Sequence, residues 1–294
     1  MAEKRAFSIT DLYLLLAAVI WGSDYFFAKI ALREISPISF SAMRTVISTV
    51  VLLPFFVKQE KDWSVPIHHF SWLVGLALLG TFLNRVFWSI GLSLTTASNS
   101  ALLMATSPIF VVIGSSFFLR AEVTFRAALG IFLSFMGLFL VIQGDWKGGV
   151  MGSETFRGDL IIIVAAISWA LFTVLAKKLL KEYSSLKVTA YVMFIGAILF
   201  LPFLPNQKGQ GWWGISGLAW FSVFYVALLG NCLAYFLWMR GIQTIGPVRT
   251  VLYQYLMPVA AILLAVPFLK ETLTVIQIWG AAVVFGGIFL ARFE

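Results

Sequence analysis

Ten stretches of about twenty mostly apolar residues alternate with short polar turns along this chain, near 11–31, 37–57, 70–91, 97–119, 125–143, 158–180, 186–204, 215–240, 247–269 and 274–292. Runs of this length cross a hydrocarbon core of about 30 Å as helices. Barrel strands would alternate over about ten residues, and no such alternation is present. The pattern predicts an all-α integral membrane protein with ten transmembrane helices. Two of the polar breaks are longer and rich in glycine, near 143–158 and 205–213, and the first divides the ten helices into five and five.

The two sets of five resemble each other. DLYLLLAAVIWGSDYFFAKIALREIS from Asp11 aligns with DLIIIVAAISWALFTVLAKKLLKEYS from Asp159 at an offset of 148, pairing Trp21 with Trp169, Lys29 with Lys177 and Glu34 with Glu182. The same offset carries Pro54 onto Pro202 and Trp72 onto Trp220. An offset of 150 then pairs Gly91 with Gly241, Pro108 with Pro258, Gly130 with Gly280 and Gly137 with Gly287. Leu and Ala identities arise easily between oily helices, whereas Trp, Pro, Gly and charge at a near-constant offset do not. The duplication predicts a first repeat over 1–145, a linker over 146–157 and a second repeat over 158–294.

Composition agrees with a membrane class. Hydrophobic residues make up 61%, charged residues 12%, and mean hydropathy is +0.95, against about 25% charged residues in soluble domains. The net charge of +8 forms no basic face suited to nucleic acid, because the Lys and Arg sit between apolar runs. They read instead as topology signals. With the N-terminus inside, thirteen Lys and Arg fall on the cytoplasmic side and six on the other, which satisfies the positive-inside bias. Both termini are then cytoplasmic. An odd number of helices per repeat makes the second copy inverted. The basic N-terminus leads into a run without a small-residue cleavage site, so this run is expected to be retained as the first helix.

Inverted repeats around a midplane site characterise secondary transporters. An intramembrane enzyme is the contrasting class, but HExxH, Gly-x-Ser-x-Gly, a Cys/His pair and a phosphate-binding glycine loop are all absent. Cys232 is the lone cysteine, so no internal disulfide and no thiolate metal cluster can form. His68 and His69 read as solvated loop residues. No metal and no cofactor is called for.

The chain resembles the drug/metabolite transporter superfamily, in the group built from two EamA-type five-helix units. The resemblance spans essentially the whole chain. It rests on AAVIWGSDYFFAK in the first helix, on SPIF and MPVA at matching positions of the fourth and ninth, and on the RAE and KE turns before glycine-rich helices. It implies alternating-access movement of small metabolites, often export, across a bacterial inner membrane. Within the family the chain looks similar to the amino-acid and metabolite exporters, the YddG-like branch. Multidrug or quaternary-cation efflux on the same fold is the alternative. The partners implied are a small-molecule substrate and the lipid bilayer.

Three ionisable residues fall inside the predicted spans: Asp24, Arg44 and Arg85. Such residues are rare in membranes and usually face a partner or a cavity. At 1.5 Å per residue, Asp24 and Arg85 lie about 20 Å from the cytoplasmic end and Arg44 about 10 Å below the outer face, one level in the outer half. One acid and two guanidiniums leave a surplus positive charge. Asp24 is expected to contact Arg44 or Arg85, as a structural counter-ion, as part of a cavity wall whose surplus Arg meets a substrate carboxylate, or as a titrating group. Other candidate substrate-binding residues are Trp21 and Trp169 near the helix centres, Asn84, Asn99, Tyr253 and Gln254. Pro108 and Pro258 are candidate kinks or gates, since proline frees a backbone carbonyl. Helices 1, 3, 4, 6, 8 and 9 are expected around a central cavity, with helices 5 and 10 at the periphery.

Overall fold

Short polar side chains open most of the apolar runs by satisfying first-turn N–H groups that lipid would leave bare. Ser8 and Asp11 cap reciprocally, and Ser36, Thr96, Ser184 and Ser216 each accept from a backbone N–H one turn ahead. The computed structural model describes residues 8–119, 125–144, 154–204 and 214–292, and all regular structure among them is helical. Among the described residues, eight helices are long and apolar enough to cross a membrane: α1 (Ile9–Ala31), α2 (Pro37–Gln59), α3 (Ile67–Leu94), α4 (Ala97–Leu119), α6 (Glu154–Leu179), α7 (Ser185–Phe203), α8 (Gly217–Ile245) and α9 (Pro247–Leu269). Two more apolar helices, α5 (Phe125–Gly144) and α10 (Val275–Arg292), complete the described elements. Residues 154–157, expected in the linker, belong instead to the first turn of α6. The rest of that linker lies outside the described residues.

Packing runs mainly between the two sets of five. Helix α1 lies against α8 and α9, α6 against α3 and α4, α2 against α7, and α5 against α10. Several contacts recur at the sequence offset. Lys29 donates to the carbonyls of Leu92 and Thr95 at the end of α3, and Lys177 to those of Ile242 and Gln243 at the end of α8. A Cβ on Gly91 would press on Ile162, and one on Gly241 would press on Leu14. Leu14 and Ile162 are themselves 148 apart. Between α5 and α10 the backbones touch, since a Cβ on Gly137 would stand 2.6 Å from the Gly280 carbonyl.

Both α3 and α8 carry an internal π-helical stretch, Ala77–Leu83 and Val226–Ala234. The shift in offset from 148 to 150 occurs between the Trp72/Trp220 pair and the Gly80/Gly230 pair, around the start of these stretches. Such widened turns rotate the following residues about the helix axis and recur at functional sites. Helices α4 and α9 are interrupted at corresponding places, α4 at Ala105–Thr106 and α9 by a 3₁₀ turn over Leu252–Tyr255. Pro108 and Pro258 follow these interruptions directly. The residues four before them, Met104 and Gln254, lose the N–H that an unbroken helix would supply to their carbonyls.

His68 is exposed as expected, but both histidines open α3 instead of lying in a loop. His69 is buried in the first turn of α3, its Nδ1 2.7 Å from the Tyr183 hydroxyl and its Nε2 3.4 Å from Glu182. The end of α6 comes close enough to cover it. At the other end of the bundle, the Ser216 N–H and hydroxyl hold the Glu34 carboxyl below the usual carboxylate range.

Candidate functional site

Helices α1, α2, α3, α4, α6 and α9 enclose a cavity of about 40 Å³. Its walls include Trp21, Asp24, Arg44, Asn84, Arg85, Trp169 and Gln254, all expected from the sequence, and Tyr25, Trp88, Met104 and Met257, which were not. A ligand site usually measures about 300–1,000 Å³, and a space of this size holds only a few waters. The bundle is therefore tightly packed around its centre. A larger cavity, about 410 Å³, lies at one end between α2, α7 and α8 and includes none of the expected site residues. Chemistry, and not size, singles out the small one.

The charged groups come together without pairing. Asp24, Arg44 and Arg85 are 3%, 1% and 7% exposed. Both guanidiniums act electrostatically on Asp24. Among the described residues, however, the ion pairs within 4.0 Å are His69–Glu182 and Lys187–Asp62. The expected contact of Asp24 with an Arg is thus replaced by a looser triad. Asp24 Oδ1 and the Nε and Nη2 atoms of both arginines have no hydrogen-bond partner. Aromatic faces take the place of a carboxylate. The Arg44 guanidinium lies 4.7 Å from the Trp88 ring centre and 5.3 Å from Phe40, and that of Arg85 lies 5.5 Å from Tyr235. Such contacts are each worth about 0.5–2 kcal/mol, against an effective cost of several kcal/mol for each buried ion. Rings alone do not offset the burial.

Local structure explains the approach. Asp24 reaches the π-helical stretch of α8 because Gly230 has no side chain; a Cβ there would overlap the carboxylate. Trp21 Nε1 donates to the Gly230 carbonyl at 2.9 Å. Asn84 and Arg85 follow the π-helical stretch of α3, and Asn84 donates to the Ala165 carbonyl at 2.9 Å. Ser41 donates to the Arg85 carbonyl at 3.1 Å and shares a hydrogen bond with Ser89, fastening α2 to α3 beside the triad. Ser107 donates to Gln254, so the interruptions of α4 and α9 meet beside the cavity.

Two expected residues lie elsewhere. Asn99 donates to Asp159 at 2.6 Å and accepts from Gln277 at 3.4 Å, within a polar cluster where α4, α6 and α10 meet. Tyr253 donates to Asp11 at the start of α1, thirteen residues and about 20 Å along the helix from Asp24. Both are polar residues near helix ends, and their tasks there are capping and fastening.

The indoles form a box. Trp21 and Trp169 have ring centres 5.3 Å apart, and Trp238 lies 5.2 Å from the first and 5.9 Å from the second. Trp88 meets Tyr25 edge to face, with ring centres 5.4 Å apart. The offset of 150 pairs Trp88 with Trp238, a signal parallel to the Trp21/Trp169 pair. The same offsets place Phe172, Val192 and Tyr235 opposite Asp24, Arg44 and Arg85. Phe172 even repeats the packing of Asp24, lying over Gly80 as Asp24 lies over Gly230. The cavity combines a duplicated aromatic frame with charges from one set of helices only.

The EamA-like transporter family matches over residues 8–143 and again over 156–293. The chain belongs to the EamA-like transporter family. It is accordingly a multi-pass membrane transporter of the drug/metabolite transporter superfamily. An uncharacterized transporter of Archaeoglobus fulgidus is 28% identical to this EamA-like transporter over 285 residues, 96% of this chain and 97% of the other. The Bacillus subtilis uncharacterized transporter YetK is 30% identical over 283 residues, 95% of this chain and 86% of its own. A crystal structure with 18% identity shares the fold at a TM-score of 0.71, covering 98% of this chain and 97% of that one.

Proposed function

We propose that this transporter moves small carboxylated amphiphiles, amino acids foremost, by alternating access between two inverted halves of five helices each, 1–145 and 158–294. The reading takes all ten helices as membrane spans, with both termini in the cytoplasm of a bacterial cell. Recurrent contacts at the repeat offset support the inversion, and the excess of Lys and Arg on one side supports the orientation. Substrate class rests on one observation: two buried guanidiniums with unpartnered edges face an indole-walled cavity. A guanidinium edge binds a carboxylate through two parallel hydrogen bonds, and the indoles accept an apolar side chain. Apolar walls discriminate weakly, about 1–3 kcal/mol per methylene, so several amino acids should compete for one site. Export is the direction that the resemblance favours. The indole box also suits a quaternary cation, but the surplus positive charge opposes one.

Purified protein in proteoliposomes should take up radiolabelled amino acids in counterflow, and chemically different amino acids should inhibit one another. Absence of movement for every carboxylated amphiphile, with movement of quaternary cations, would overturn the proposal.

A further inference from the structure

We infer that the cargo over which this site closes carries one net negative charge. The inference rests on the carboxylate reading above and adds the charge of the whole molecule to it. Counting formal charges in the cavity wall gives one carboxylate, Asp24, and two guanidiniums, Arg44 and Arg85, hence a formal +1. An arginine does not shed its proton to escape burial. The other buried or half-buried charges among the described residues are engaged elsewhere: Lys29 and Lys177 on the end carbonyls of α3 and α8, Asp159 on Thr95 and Asn99, and Lys187 beside Asp62. Positions equivalent to the triad in the second set of helices hold Phe172, Val192 and Tyr235, so the duplication supplies no compensating acid.

The unpartnered atoms state what is missing. The guanidinium carbons of Arg44 and Arg85 lie over the Trp88 and Tyr235 rings, and their Nε and Nη2 atoms have no hydrogen-bond partner. One carboxylate across those edges would bring the net charge of the closed site to zero. A zwitterion brings its own ammonium and leaves the site at +1. The open acceptor, Asp24 Oδ1, then suits a neutral donor such as a hydroxyl, or the ammonium of an amino acid that carries a second carboxylate. The class that fits both counts is a monoanion with a donor near its carboxylate: a hydroxy acid with an apolar side chain, or an acidic amino acid.

The test compares near-isosteric pairs in counterflow at neutral pH: 3-phenyllactate against phenylalanine, and glutamate against glutamine. Coulomb attraction across a few ångströms of poorly screened protein favours the anion by roughly tenfold or more in half-saturation. Arg85→Gln removes the surplus charge and should reverse the preference toward the zwitterion. Where that variant does not fold, the wild-type comparison decides by itself. Zwitterions carried as well as, or better than, their anionic partners would overturn this inference and leave the carboxylate reading standing. If no member of either pair moves and quaternary cations do, both fall.

Discussion

Asp24→Asn is expected to destabilise the folded protein by about 3–5 kcal/mol and to abolish transport. The substitution keeps the shape of the side chain and removes its charge. The cavity wall then carries two guanidiniums and no acid, a formal +2, around a space that holds only a few waters. Thermal unfolding in detergent, followed by loss of the monodisperse peak, reads the first effect, and counterflow in proteoliposomes reads the second. The double variant with Arg44→Gln returns the wall to +1 and should recover most of the stability. Full recovery of transport is not expected, because Arg44 supplies half of the free donor edges. A single variant as stable as the parent would mean that the triad is not electrostatically coupled.

Gly230→Val is expected to be as harmful by a different route. Any Cβ at this position overlaps the Asp24 carboxylate, and the Gly230 carbonyl takes the Trp21 N–H. The larger side chain forces α1 and α8 apart at the triad. Overpacking of this kind costs about 1–3 kcal/mol and sometimes more. Transport should be lost entirely, since Asp24 and Trp21 both move. Gly75→Ala is the matched control: nothing lies within 4 Å of its Cβ position, and stability and transport should stay near the parent values. Equal behaviour of the two variants would contradict the tight approach of α1 to α8.

The helices were legible because lipid imposes a length and the caps mark the ends. The bounds read for helices 4 and 9, 97–119 and 247–269, coincide with those of the structure, where Thr96 caps one and Pro247 opens the other. Rise per residue put Asp24, Arg44 and Arg85 at one level, and they line one cavity. Rotation was not legible. The π-helical stretches before Asn84 and Tyr235 turn those residues about their helix axes, and hydropathy gives no sign of a widened turn. The only trace was the two-residue change of offset. That is why a direct Asp24–Arg contact was expected where the structure has a looser triad. Asn99 and Tyr253 were misplaced for a related reason: a polar residue near a helix end serves a cap or a cavity equally well in the sequence. Trp88 and Trp238 were within reach, because the offset that paired Gly91 with Gly241 also pairs them.

The central claim is that the Arg44 and Arg85 edges receive a carboxylate inside the indole box, and binding to the purified protein tests it most directly. The pair 3-phenylpropionate and 3-phenylpropanamide differs by the carboxylate alone. Trp21, Trp88 and Trp169 line the cavity, so occupancy should change tryptophan fluorescence. The acid should produce a saturable change that competes with whichever carboxylated compounds the protein carries in counterflow. The amide should bind at least tenfold more weakly, as expected when a charge-assisted pair is lost, and the Arg85→Gln protein should no longer distinguish the two. An amide that binds as tightly as the acid to the parent protein would contradict the account.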